Sequence, residues 1–357
     1  MSAPAAAARD AGVYEPLPHL DRAREGSPAE QRRRVLQGAR RLREELLAGP
    51  QVAYYRSFPL VRVPYPSRYA FWRAGRVATP LLHILNRLFV VQFRGLDGEL
   101  KTLLFSPSDV DRNKETPFFK DLAAKAALLG GAGERLIAPR YGDVAAHLAA
   151  VGIAPERVDY LSYDHLHTQD LRGWIGPGGL FPRARLLVHE REWEEVHGLI
   201  PPWSAWYPPG GVAGIDPSRV IPFAGSVRLG VGVALVETPG HTRGNHSLVA
   251  HTPEGLLVTS ENGVSADNYA PLRSKIPGVA AYAASSGSEV VLNGNTLEGH
   301  LDQYLSMLCE RELAGPSLRD PAFFNVLPSS ELSAYWLFPG VRPTFRFGEV
   351  EFGTPRP

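Results

Sequence analysis

Tyr163-Asp164-His165-Leu166-His167-Thr168-Gln169-Asp170 follows an apolar run, Val158 to Tyr163, that reads as a β-strand. In extended backbone, side chains two residues apart leave the same face. His165 and His167 therefore present their imidazoles together, which is half of a zinc or iron site. Asp170 lies three residues on, where a turn can swing its carboxylate to the same centre. Alone, a His-x-His pair also reads as a packed or surface pair, so its meaning depends on partners elsewhere.

Two further stretches supply candidates. Val231 to Glu237 reads as a strand, and Pro239-Gly240 forces a turn that presents His241 at its end. A third neutral imidazole completes a three-histidine metal site with one position open to water. His246 leads into the next strand and reads as a packed histidine or as one that supports a metal ligand from behind. Leu256 to Thr259 is another strand, and Glu261 follows it, either as a carboxylate for the metal or as a capping acid. Asp164 reads either as a partner that orients an imidazole or as a structural hydrogen bond at the strand end.

Working outward, strands alternate with helices through the middle of the chain, which favours an α/β layered domain. Ser27-Pro28-Ala29-Glu30 opens a helix with a capping box, continued by Val35, Leu36, Ala39, Leu42 and Leu46. Gln51 to Tyr65 reads as short strands or extended packing, and Leu88–Phe93 pairs with Leu100–Phe105 across a turn at residues 95–98. Thr116-Pro117 opens a helix to about Leu129. Asp143 caps a short helix that Gly152 ends. Ala184–Val188 is a strand with a helix behind it from Glu190 to His197. Val290–Leu292 reads as a last short strand before a helix over Leu301–Leu313. Pro201 to Phe223 is too long for a plain connector. The tail from Arg319, with Phe345, Phe347 and Phe352, reads as an added strand or a clasp on the core.

The 357 residues are 44% hydrophobic and 21% charged, with a formal net charge of +1. That composition excludes a disordered or coiled-coil chain and offers no overall field to recruit nucleic acid. No apolar run reaches the roughly 18 residues of a membrane-spanning helix, and Met1 to Pro16 holds no apolar signal core. Cys309 is the only cysteine. A lone thiol and no leader set the expectation of a cytoplasmic protein with neither membrane nor nucleic-acid partner. Residues 1–26, Ala-rich and charged, are expected to be mobile.

Together the three histidine- and glutamate-bearing segments, the Asp143 helix, the Gly152-Ile153 turn and the Thr238-Pro239-Gly240-His241-Thr242 run resemble the metallo-β-lactamase superfamily. The likeness covers residues 88–313, leaving 27–87 as an N-terminal extension packed on the core and 314–357 as a C-terminal one. It implies a four-layer αβ/βα sandwich with a metal centre at one edge of two sheets. It implies hydrolysis of esters, lactones, thioesters, amides or phosphoesters by metal-bound hydroxide, a chemistry that a divalent metal supports by acidifying water, and the leading expectation is a small ester-, lactone- or thioester-like substrate.

The departures from the family pattern matter as much. Where the family has His-x-His-x-Asp-His, this chain has Gln169 and Asp170 in the last two places. The bridging Asp is Glu261, and the last His is Asn295. By this resemblance the first metal site, on His165, His167 and His241, is intact. The other metal site is eroded, with His300 a weak stand-in. The expectation is one divalent metal, zinc or else iron, with Asp170 or Glu261 as carboxylate ligand or general base. Arg243 stands where the family often has proline, and it either contacts an acidic substrate group or makes a surface ion pair. Trp203, Trp206 and Tyr207 fall where relatives overhang the active site, and they line it or form a homo-oligomer contact. The rival functions are a catalytically silent binding protein and a mononuclear iron oxygenase.

Overall fold

The computed structural model describes residues 12–120, 124, 130–294, 299–337 and 341–357. Its framework comprises β1 (Glu15–Pro16), α1 (Pro28–Ala48), β2 (Tyr54–Pro66), β3 (Leu81–Arg94), β4 (Leu100–Phe105), α2 (Val144–Ala150), β5 (Tyr160–Ser162), β6 (Arg185–His189), α3 (Glu190–His197) and β7 (Val220–Phe223). It continues through β8 (Val227–Gly230), β9 (Val233–Glu237), β10 (His246–Thr252), β11 (Gly255–Thr259), α4 (His300–Ala314), β12 (Ser330–Ser333) and β13 (Glu351–Gly353).

The strands form two sheets. One runs β13-β2-β3-β4-β5-β6-β7, with β12 beside β3, and the other runs β1-β8-β9-β10-β11. β3 and β4 are an antiparallel hairpin, and β4 to β7 are parallel, as strand–helix–strand connections require. The period-2 alternation of apolar residues explains why both faces of each sheet are covered. Phe89, Val91, Leu103 and Phe105 point inward against Val233, Leu235, Leu248 and Leu257 of the other sheet. Leu88, Val90 and Leu104 point outward onto Val144 and Leu148 of α2. Ala234, Val236 and Val249 face outward onto Val35, Ala39 and Leu42 of α1 and Leu305 and Leu308 of α4. The result is the αβ/βα sandwich.

Local sequence signals account for the helix starts. Ser27 N donates to Glu30 Oε2 at 2.9 Å, completing the capping box of α1. Ala146 N donates to Asp143 Oδ1 at 2.7 Å at the start of α2.

Five expectations need correction or restriction. Glu15 and Pro16, placed in a mobile stretch, pair with Arg228 and Val227 of β8, and Leu17 and Ala23 are buried. Gln51 to Tyr65 holds one strand, β2, whose register shifts between Pro59 and Val61. Proline cannot donate to a ladder, and β13 covers only Tyr54–Arg56 of this strand's outer edge. Val290–Leu292 is not a strand: Val291 N donates to Asn268 O, and Leu292 O accepts from Trp72 N, so loops satisfy its backbone. The Pro201–Phe223 loop ends in β7, which pairs with β6. Residues 117–120 are helical, and the rest of the helix expected to Leu129 lies largely outside the described residues. The tail is both things expected of it: β13 pairs with β2, while Phe345 and Phe347 pack on the core between the sheets.

Among the described residues, no helix is long and apolar enough to cross a membrane. The loops after β5, β9 and β11 carry the candidate histidines and Glu261, and they meet at one end of the sandwich.

Candidate metal centre

His165 and His167 leave the loop after β5, and His241 leaves the loop after β9. All three are buried, and one nitrogen of each lies within 4.8 Å of the others. His165 Nε2 stands 3.1 Å from His241 Nε2, with ring centroids 4.3 Å apart. His167 lies 4.9 Å from His165 and 5.2 Å from His241, centroid to centroid. The Asp164 carboxylate accepts from His165 Nδ1 and from His165 N, both at 3.0 Å. That bond holds a proton on Nδ1 and leaves Nε2 to face the other rings. Ser329 Oγ donates to the second Asp164 oxygen at 2.6 Å.

Neither ring nitrogen of His167 has a hydrogen-bond partner among the described residues, nor does His241 Nδ1. Buried polar atoms left this way carry a desolvation cost of about 1–3 kcal/mol each. Three buried imidazoles with nitrogens converging within 4.8 Å are a donor set that suits a divalent cation. Electrostatics agree. Burial and then the neighbouring His165 charge hold His167 and His241 well below the ordinary imidazole value. Burial also opposes charge on His165, but the Asp164 carboxylate outweighs it and lifts the ring to about 9.

The loops are tightly specified. Thr168, between His167 and Gln169, has φ +63°, a left-handed conformation costly for a β-branched residue. Its N donates to Trp206 O at 2.6 Å. Gly240 has φ +138°, and a Cβ there would overlap the backbone of Gln303 in α4. Ser306 Oγ of α4 donates to Pro239 O at 2.6 Å, and His241 N donates to Asn262 Oδ1 at 3.1 Å. Asn262 Nδ2 in turn donates to the buried Glu310 at 2.7 Å.

The expected carboxylates divide. Asp170 is buried but turned away from the histidines. Both its oxygens accept from Arg172 Nε at 3.1 Å, and one accepts from Arg172 N at 3.0 Å. It joins no donor group with the imidazoles, which corrects its expected place as ligand or base. Glu261 stands with Asp164 and His165, donor atoms within 4.8 Å. Burial raises its carboxyl to about 7, with His165 opposing and Asp164 adding. Gln169 Oε1 accepts from Ser108 Oγ at 3.1 Å and Asn113 Nδ2 at 3.2 Å. Asn295 lies outside the described residues. His300 starts α4, its ring 5.0 Å from Trp72. His246 is packed as expected, its Nε2 3.0 Å from Ser162 Oγ, and burial lowers it to about 3.

A cavity of about 1270 Å³, counting its open mouth, lies over the cluster. His165, His167 and Glu261 lie at its floor, and Val61, Val63, Ile84, Phe118, Phe119 and Trp206 contribute apolar wall. Trp206 lies 5.7 Å from the His167 ring and 4.5 Å from Phe118. Tyr207 is buried behind His167, at 5.1 Å. Arg243 and Trp203 line a separate cavity with Arg191, Glu237 and the N-terminal segment. Of the four residues expected at the substrate, the structure brings only Trp206 into the cavity wall. Glu192, Glu310 and Ser329, which anchor the histidine-bearing loops, carry no signal in the sequence. The two glutamates sit in the helices expected at 190–197 and 301–313, where helical spacing alone does not mark them as buried.

No family model matches the chain, and no curated protein matches it. Among solved structures, AidC, a dizinc quorum-quenching lactonase in complex with the product N-hexanoyl-L-homoserine, superposes with a TM-score of 0.51 at 12% identity, covering 86% of this chain and 96% of that one. AbOPH, a hydrolase in the beta lactamase superfamily, gives 0.43 at 16% identity over 86% and 99%. A quorum-quenching N-acyl homoserine lactone lactonase gives 0.44 at 17% identity over 68% and 88%. Likeness at such identity is a likeness of fold, and the fold is that of the metallo-β-lactamases.

Proposed function

We propose that this chain of metallo-β-lactamase fold is a metal-dependent hydrolase. His165, His167 and His241 would hold one divalent cation, zinc first, and the substrate is a small ester-, lactone- or thioester-like molecule with an apolar part. The observation that carries this is the 3.1 Å approach of two buried Nε2 atoms beside the unpartnered ring of His167. When bound, the cation supplies Lewis acidity that polarises a carbonyl and acidifies water. The remaining work belongs to the chain. Asp164 keeps His165 in the tautomer whose Nε2 faces the centre. Glu261, titrating near neutrality at the cavity floor, accepts or returns a proton. Val61, Ile84, Phe118 and Trp206 hold the apolar part and exclude water. An iron oxygenase built on two histidines and a carboxylate is less supported, because Glu261 shares a donor group with Asp164 and with one histidine, His165.

The test is metal content per chain by elemental analysis, on protein purified without chelator, beside His241→Ala. About one zinc or iron per chain, lost in the variant, is expected. No metal bound even when offered overturns the proposal and favours a silent binding protein. Iron with oxygen consumption overturns the hydrolase in favour of the oxygenase.

A further inference from the structure

Helix α3 begins Glu190-Arg191-Glu192-Trp193-Glu194-Glu195, and Glu192 in it is completely buried. A lone buried carboxylate persists only where donors surround it. Here the donors come from both histidine-bearing loops. Glu192 Oε1 accepts from Leu166 N, the amide between His165 and His167, at 2.7 Å. Glu192 Oε2 accepts from Thr242 Oγ1, next to His241, at 2.5 Å. Tyr207 OH, whose ring packs against His167, lies 3.5 Å from Oε1. The backbone repeats the connection. A Cβ on Gly244 would stand 2.2 Å from Glu192 N, so only glycine lets the His241 loop close on α3.

We propose that Glu192 is a positioning residue: its carboxylate joins the two loops and sets the mutual angle of the three imidazoles. This rests on the metal reading above. Glu192 touches no reacting group. It acts through Leu166 and Thr242, and partners of this kind change metal affinity by about 10–100-fold when replaced. Hydrogen bonds to a charged acceptor are the strong ones, so the clamp is stiff.

The test uses the full chain with cobalt(II) alone as probe, comparing wild type, Glu192→Gln and Thr242→Val. Glu192→Gln keeps the size and an acceptor for Leu166 N but loses the charge and the second acceptor. The expected result is about tenfold weaker cobalt binding, altered visible absorption bands and a melting temperature within a few degrees of wild type. The double variant should be no worse than Glu192→Gln, because both changes cut one connection. Side-chain 15N shifts of His165, His167 and His241 in the metal-free protein should move as well. Unchanged affinity, bands and ring shifts overturn the proposal. If Glu192→Gln does not fold, Thr242→Val is read by the same criteria. If wild type takes up no cobalt, the metal reading fails, and the ring shifts decide on Glu192 alone, unchanged shifts overturning it.

Discussion

Replacing Gly240 by alanine asks whether the approach of the Pro239-Gly240-His241 turn to α4 sets the place of His241. A Cβ at Gly240 would lie 2.2 Å from Gln303 Cα and 2.3 Å from Gln303 N, both main-chain atoms of a buried helix. Real Cβ contacts essentially never fall below 3.0 Å, so turn and helix must part by about an ångström. Overpacking of this kind costs about 1–3 kcal/mol. The φ of +138° adds about 1–3 kcal/mol for a residue with a Cβ. The stiffer unfolded chain of alanine returns about 0.4–1 kcal/mol. The net loss is about 1–6 kcal/mol. For 357 residues the unfolding entropy is about 0.75 kcal/mol/K. The melting temperature of the metal-free protein should therefore fall by about 1–7 °C. The same displacement carries His241 away from His165, so zinc affinity, read by chelator competition, should fall about tenfold or more. An alanine variant that melts and binds zinc like wild type would refute the reasoning, since His241 would then not depend on that contact.

Asp170→Asn should leave zinc content and affinity unchanged, because Arg172 rather than the histidine cluster occupies that carboxylate; a loss of metal by elemental analysis would contradict the geometry. Glu261→Gln should change the pH dependence of stability in the metal-free protein. The folded carboxyl is raised to about 7 from an ordinary value near 4.5, so between those values the folded state holds the proton more tightly and wild-type stability falls as pH rises. The variant lacks that group, so its melting temperature relative to wild type should climb from pH 5 to pH 8, and a constant difference would refute the assignment. Trp206→Ala opens the cavity wall beside His167. It should raise KM for 4-nitrophenyl esters by about tenfold, more for long acyl chains than for acetate, with metal content unchanged.

What was legible in the sequence was what repeats or punctuates. The alternation in Leu88–Phe93 and Leu100–Phe105 gave two covered faces, and Ser27, Asp143 and Gly152 marked helix ends. His165, His167 and His241 were legible because extended spacing and a Pro-Gly turn have direct geometric consequences. Asp170 misled for the same reason. Its spacing allows a turn towards the centre, but Arg172 two residues on offers that carboxylate a guanidinium fork, and nothing in spacing tells which partner wins. Glu15–Pro16 was lost because a two-residue strand leaves no period to read. Val290–Leu292 was apolar enough for a strand, yet the neighbouring backbone offers it no ladder. Arg243 and Trp203 sat in the right segments and on the wrong side of them.

Two of the positions that the resemblance assigns to a second cation, Gln169 and Asp170, are bonded into the framework. Gln169 accepts from Ser108 and Asn113, while Asp170 donates its N–H to Asn113 and accepts from Arg172. These bonds join the loop after β4 to the loop after β5, and Asp170 and Asn113 are buried. Groups spent in this way cannot turn to a cation without leaving their partners unsatisfied, at about 1–3 kcal/mol each. On the other side, Glu192 and Glu310 hold the backbone around His165, His167 and His241 without offering an oxygen to the centre. Gln169 and Asp170 are thus committed to the framework, and Glu192 and Glu310 to the loops that carry the three imidazoles. That is the physical case for a site of one cation, and it makes the stoichiometry of zinc binding its sharpest check: a second equivalent bound as tightly as the first would require Gln169 or Asp170 to abandon bonds the fold has built around them.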